Sequence, residues 1–259
     1  MTTADNNGTE PMGVRATLTE MSFFGHLEEL RKRIMFALLG LMAGCIISGI
    51  FADQIINYAL MLPAQAAGLP LQNRLVFGQV FLYFKVILAS GVVVAMPFIL
   101  FQLWKFVAPG LYAHERNWAG KITAFTSICF LSGVAFAYWV MIPSMLKFTA
   151  HFNKFGGAEN KFDITEYFGF ITTTAISAGL IFELPMIAYV LTRVGMLTAE
   201  WMRNYRRYAI VLILIVAAVL TPSPDPVNQL IFAAPLWVLY EISIIISKFA
   251  VKKRTEPTE

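Results

Sequence analysis

The chain has 259 residues, of which 58% are hydrophobic and only 14% charged, with a mean hydropathy of +0.65. A soluble domain carries about 25% charged residues, so a water-soluble globule is excluded, and the apolar excess falls in blocks close to the ~20 residues that a membrane-crossing helix needs. The formal charge of +4 is too small to argue for a nucleic-acid partner and matters only through its placement.

Met1 to Thr19 is polar and mixed and reads as a flexible tail. The expected division is a tail over 1–21, a membrane domain over 22–250 and a second tail over 251–259. The first apolar segment runs too long for the apolar core of a signal peptide. Ahead of it stands "GHLEELRKRIMFALLGLMAG", Gly25 to Gly44. Phe23, Leu27, Leu30 and Ile34 recur at helical spacing as one apolar stripe. Glu29 points almost opposite to that stripe. Glu28–Lys32 and Glu29–Arg33 are each spaced for an i,i+4 ion pair worth a few tenths of a kcal/mol. Arg31 lies close to the stripe and must snorkel or find an acid elsewhere.

Six spans follow in order. The first covers about Ile34–Ala52. The second covers Phe81–Leu103, broken by Pro97, and the third Ile122–Ile142, closed by Pro143. The fourth covers Phe168–Leu191 with Pro185 inside. The fifth, Tyr208–Leu220, is stopped by "TPSPDP", and the sixth covers Leu230–Phe249 with Pro235 inside. "YAIVLILIVAAVL" would reach only about 20 Å at 1.5 Å per residue, so spans five and six look short. Fifteen of the 20 cations fall on one side of this arrangement, which places both termini in the cytoplasm. There is no internal repeat of the kind that inverted-repeat transporters carry.

Four places carry polar chemistry. The N-terminal helix offers Glu28 and Glu29. The segment between spans two and three, "FQLWKFVAPGLYAHERNWAG", is dense in interfacial aromatics and presents Glu115 beside Arg116. Glu29 and Glu115 together would make a two-acid site on a basic face, and such a site calls for a cationic ligand. Glu183 lies inside span four, where an acid costs about 2.5–3.5 kcal/mol on insertion scales and must face protein or water. Glu241, near the cytoplasmic end of span six, could pair with Lys248 or with the membrane interface. "LTPSPDPVNQ" forms a turn with Asp225 and Gln229 at its exit. Cys45 and Cys129 lie in apolar runs and read as small buried hydrophobes. His26, His114 and His151 are scattered, and no metal, nucleotide or hydrolase motif is present. An enzyme is therefore not expected, nor a cofactor. A small proton- or cation-coupled transporter with Glu183 as its relay is the alternative to a receptor.

"HLEELRKR", "LFQLWKFVAPGLYAHER", "GVAFAYWVMIPSMLKF", "FELPMIAYVL" and "LTPSPDPVNQLIFAAPLWVLYEISI" occur in this order. Over Phe23 to Lys253 they resemble the TatC subunit of the twin-arginine protein translocase. The resemblance implies an all-α, six-span, glove-shaped bundle in the bacterial inner membrane, with both termini cytoplasmic. It implies a receptor for the twin-arginine signal peptides of folded cargo, working with TatA, TatB and further TatC copies in membrane lipid and driven by the proton-motive force. Glu29 and Glu115 would receive the two arginines, with Arg31, Gln102, Phe106 and Pro109 beside them. Pro63, Glu183, Asp225 and Gln229 would serve partner docking or structure.

Overall fold

The computed structural model describes residues 23–107, 119–152, 161–220 and 226–252, and these are almost wholly helical. Helix α1 runs from Phe23 to Ile50 without interruption. Its polar beginning stays helical because Glu, Leu, Arg and Lys are strong helix formers. Helix α4, Gly78–Val107, lies antiparallel against it. The register reads directly from contacting pairs: His26 with Phe106, Arg33 with Gln102, Gly40 with Phe98, Cys45 with Gly91, and Asp53 with Tyr83.

Two glycines set the distance between these helices. A Cβ on Gly44 would lie 2.5 Å from the Gly91 carbonyl oxygen, and one on Gly91 would lie 2.6 Å from Cys45 Sγ. Small residues thus let the backbones approach, as helix pairs in lipid require. The consequence reverses the expectation from periodicity. The apolar stripe is not the packing face, since Leu27 and Ile34 are exposed. Glu29, Arg33, Gly40, Gly44 and Ser48 face α4 instead. In a bilayer the outer face of a helix meets hydrocarbon, so apolarity marks lipid rather than protein.

Between α1 and α4 the chain is helical over residues 53–67, which fall outside the expected spans. It forms α2 (Ala52–Gln54), a widened π-helical turn (Ile55–Leu60) and α3 (Met61–Ala67). Gly68 ends α3 at φ 63°, a left-handed position that suits glycine. Tyr138 Oη donates to the Ala59 carbonyl and Tyr167 Oη to the Leu60 carbonyl, both at 2.8 Å. These hydroxyls satisfy carbonyls in the irregular turn.

Prolines interrupt less than their sequence suggests. Helix α4 continues through Pro97, so the second span is not broken there. In hydrocarbon one missing hydrogen bond costs less than an unwound backbone. Helix α5, Ala119–Phe136, passes through a π-helical turn, Ala137–Met141, into α6, Ile142–Phe152. The third span is therefore not closed by Pro143. The wide turn, in which Ile142 N–H bonds the carbonyl of Ala137, carries the chain past the proline ring. Span four, by contrast, is two helices. Helix α7, Ile164–Ile181, ends at Phe182–Glu183, and α8, Leu184–Val194, restarts with Pro185 in its first turn.

Helix α9 (Ala199–Asn204) turns the chain into α10 (Arg206–Leu220) and then α11 (Pro226–Lys252), which continues through Pro235. Glu241 pairs with Arg206 at 2.6 Å, not with Lys248. Two short strands, β1 (Leu71–Gln72) and β2 (Phe162–Asp163), pair in parallel beyond the α4 and α7 N-termini. Phe130, Phe168 and Phe232 are fully enclosed among the helices.

Among the described residues, five segments are long and apolar enough to cross a membrane: 25–50, 78–107, 122–150, 164–194 and 229–250. The sixth apolar helix, α10, has 15 residues and reaches about 22 Å at 1.5 Å per residue, short of the ~30 Å hydrocarbon core. The last helix is longer than expected, because it begins at Pro226 and ends at Lys252. Only α10 is short.

Candidate functional site

The beginning of α1 and the end of α4 bring several of the predicted residues together. Arg33 Nη2 lies 3.0 Å from Glu29 Oε1, one helical turn away. Arg33 Nη1 reaches Gln102 Oε1 of α4 at 3.5 Å. The Glu29 and Arg33 side chains are only 18% and 23% exposed, and Gln102 is buried at 6%. His26 stacks on Phe106 with ring centroids 4.5 Å apart. Trp104 Nε1 donates to Thr126 Oγ1 at 3.1 Å and anchors this end of α4 to α5. Lys105 Nζ lies 4.7 Å over the Phe101 ring.

This cluster is incompletely bonded. Among the described residues, Glu29 Oε2 and Arg33 Nε are both buried without a hydrogen-bond partner. A buried polar atom left unpaired costs about 1–3 kcal/mol. Of the two ion pairs spaced along α1, only Glu29–Arg33 forms among the described residues, and Glu28 and Lys32 are both exposed. Arg31 is exposed as well. Glu115 and Pro109 lie outside the described residues.

The remaining candidates separate into different places. Pro63 is buried in α3. Glu183 stands at the start of α8 at 5% exposure, with Oε1 buried and unpartnered among the described residues. Gln229 Nε2 donates to the Leu214 carbonyl at 2.9 Å and ties α11 to α10. Asp225 lies outside the described residues. Cys45 and Cys129 are free and partly exposed.

At the other end of α4 sits a carboxylate that the site reading did not single out. Asp163 caps α7, accepting from the Thr165 amide at 2.8 Å and the Glu166 amide at 3.4 Å on Oδ1. Its Oδ2 accepts from the Arg74 amide at 3.2 Å. Burial alone would raise its pKa, but the amide donors of Thr165, Arg74 and Glu166 outweigh it and hold the carboxyl below the usual carboxylate range. The signal was present in "DITE", since an acid followed three residues later by glutamate marks a helix start. Gln102 had no such local mark for its link to Arg33, which spans 69 positions.

Fold and site together define a polytopic helical membrane protein that keeps an under-bonded acid–guanidinium pair at the mouth of its first helix pair. Residues 25–235 match the family model described as Sec-independent protein translocase protein (TatC). The TatC protein of Deinococcus radiodurans is 34% identical over 237 residues, covering 89% of this chain and 87% of that one. That of Carboxydothermus hydrogenoformans is 36% identical over 239 residues, covering 90% and 95%. A crystal structure of the twin-arginine translocase receptor TatC superposes with a TM-score of 0.77 at 31% identity, covering 87% of this chain and 99% of that one. The chain belongs to the TatC family.

Proposed function

We propose that this chain is the signal-peptide receptor of the twin-arginine translocase, and that Glu29 receives one arginine of the signal. The observation that carries this reading is the Glu29 carboxylate, mostly buried yet with one oxygen lacking a partner among the described residues. A guanidinium is the ligand that best completes such a group, because its planar fork can engage both carboxylate oxygens. Lysine offers a single point charge in its place. Glu115, with Pro109 beside it, supplies the second acid in this reading. Phe106 and Gln102 form the wall of α4, and Arg31, exposed on α1, is a further residue of the site in this reading. The basic face is cytoplasmic in the bacterial inner membrane, so that signals of folded cargo meet the site before transport.

TatA, TatB and further copies of the chain complete the translocase, with the proton-motive force as the energy source. Glu183, with its unpartnered oxygen in the span, is the docking candidate for a polar group on a single-span partner. Pro63 and Gln229 act structurally, through packing of α3 and through the α10–α11 tie, and Asp225 is the further candidate for partner docking or structure in this reading.

The test is binding of a synthetic twin-arginine signal peptide and its twin-lysine counterpart to the purified chain in nanodiscs, paired with solute uptake by liposomes holding the chain alone. The receptor reading expects arginine-selective binding and no uptake. Equal binding of the two peptides contradicts it, and ion-coupled uptake that Glu183→Gln abolishes favours a transporter.

A further inference from the structure

We propose that Arg33 is a built-in occupant of the Glu29 carboxylate, displaced by the arginine of an arriving signal and received by Gln102 when it leaves. This rests on the receptor reading above. Three observations carry it. The pair is made through one nitrogen, Nη2 to Oε1 at 3.0 Å, although a guanidinium can hold a carboxylate by two parallel hydrogen bonds. Each partner keeps a buried atom unbonded, Glu29 Oε2 and Arg33 Nε. Nη1 already lies 3.5 Å from Gln102 Oε1, a fixed acceptor on the neighbouring helix.

These features describe a contact held by proximity rather than by good geometry. Arg33 is tethered one turn from Glu29 and shields it. Oε1 is held by Arg33 and Oε2 has almost no surface of its own, so a ligand that takes both oxygens displaces Arg33. The move needs no large rearrangement, because Gln102 is at hand for the released guanidinium. An incoming arginine that aligns on both oxygens gains two charge-assisted hydrogen bonds where Arg33 holds one. A lysine gains no such advantage over the resident arginine. Selection for arginine thus comes partly from a competitor that only a better-fitting guanidinium outcompetes, a repulsive element of the kind that specificity often requires.

The experiment measures dissociation constants of fluorescent twin-arginine and twin-lysine signal peptides for the full chain in nanodiscs, comparing wild type with Arg33→Gln, Arg33→Lys and Glu29→Gln. Arg33→Gln is expected to tighten twin-arginine binding by about tenfold, the scale of one charge-assisted contact. Twin-lysine binding should tighten more, so the ratio between the peptides narrows. Arg33→Lys keeps the charge without the fork and should move both values the same way by less. It serves as the readout if Arg33→Gln does not fold. Weaker or unchanged binding in the Arg33 variants, with the arginine-to-lysine ratio unmoved, overturns the inference while leaving the receptor standing, provided Glu29→Gln abolishes binding. Full binding by Glu29→Gln overturns the receptor reading and this inference with it.

Discussion

Asp163, at the start of α7, and Glu29, in the first turns of α1, are carboxylates treated in opposite ways. Asp163 accepts three backbone amides across two chain segments, and both its oxygens are used. Glu29 holds one side-chain contact and leaves its second oxygen bare. Burial of a fully bonded acid fixes the chain, since its donors are backbone and cannot swing away. Burial of a half-bonded acid leaves free energy to be gained by a ligand. The first joins β1 to β2 and caps α7, and the second waits at the entrance between α1 and α4.

The widest break in this comparison comes from disturbing the α1–α4 pair. Gly44→Leu drives a side chain into the Gly91 carbonyl, 2.5 Å from where its Cβ must sit. Backbone cannot yield as a flexible side chain can, so the α1–α4 pair should separate at a cost above the ~1–3 kcal/mol of ordinary overpacking. The yield of monodisperse protein in detergent measures it, and wild-type yield would show that the register does not depend on this approach.

Asp163→Ala removes a helix cap and the link to Arg74. It should lower stability by about 1–2 kcal/mol, read as a lower melting temperature, with peptide affinity unchanged. The same carboxylate gives a pH dependence. Its folded pKa is lowered, so its contribution is complete above the ordinary carboxylate pKa. It is lost as pH falls through the lowered folded value. The melting temperatures of wild type and Asp163→Ala should therefore converge in acid, and a constant gap would contradict the assignment. Glu29→Gln completes the contrast with a smaller effect on stability than Asp163→Ala, because the amide keeps an oxygen for Arg33 and no backbone amide loses its acceptor. A melting temperature depressed as far as that of Asp163→Ala would make Glu29 a structural acid like its counterpart.

Much of this was readable beforehand, for reasons that also explain the failures. Apolar blocks mark bilayer helices whatever their neighbours, so the spans emerged nearly in place. Hydrophobicity could not tell which side of α1 meets α4, because lipid and protein interior are both apolar. The glycines at 40, 44 and 91 carried that information. Pro97 read as a break and Pro143 as an end by the rules of water, yet both are passed by continuous or widened helix, as is Pro235, which was expected inside its span. The helical segment over 52–67 was hidden by Pro63 and by its lack of a clear period. At the site, Glu29 and Arg33 were visible as an i,i+4 pair. Their under-bonding and the acceptor Gln102 depend on tertiary placement that spacing alone does not reveal.

The central claim is that Glu29, joined by Glu115, forms the receptor for a signal's two arginines. Its most direct test is the affinity of a twin-arginine signal peptide for the chain in nanodiscs carrying Glu29→Ala, Glu115→Ala or both. Each single change should weaken binding by tenfold or more, the scale of losing one charge-assisted contact of ~1.5–3 kcal/mol. The double change should abolish arginine selectivity. Wild-type affinity in the double variant would contradict the account.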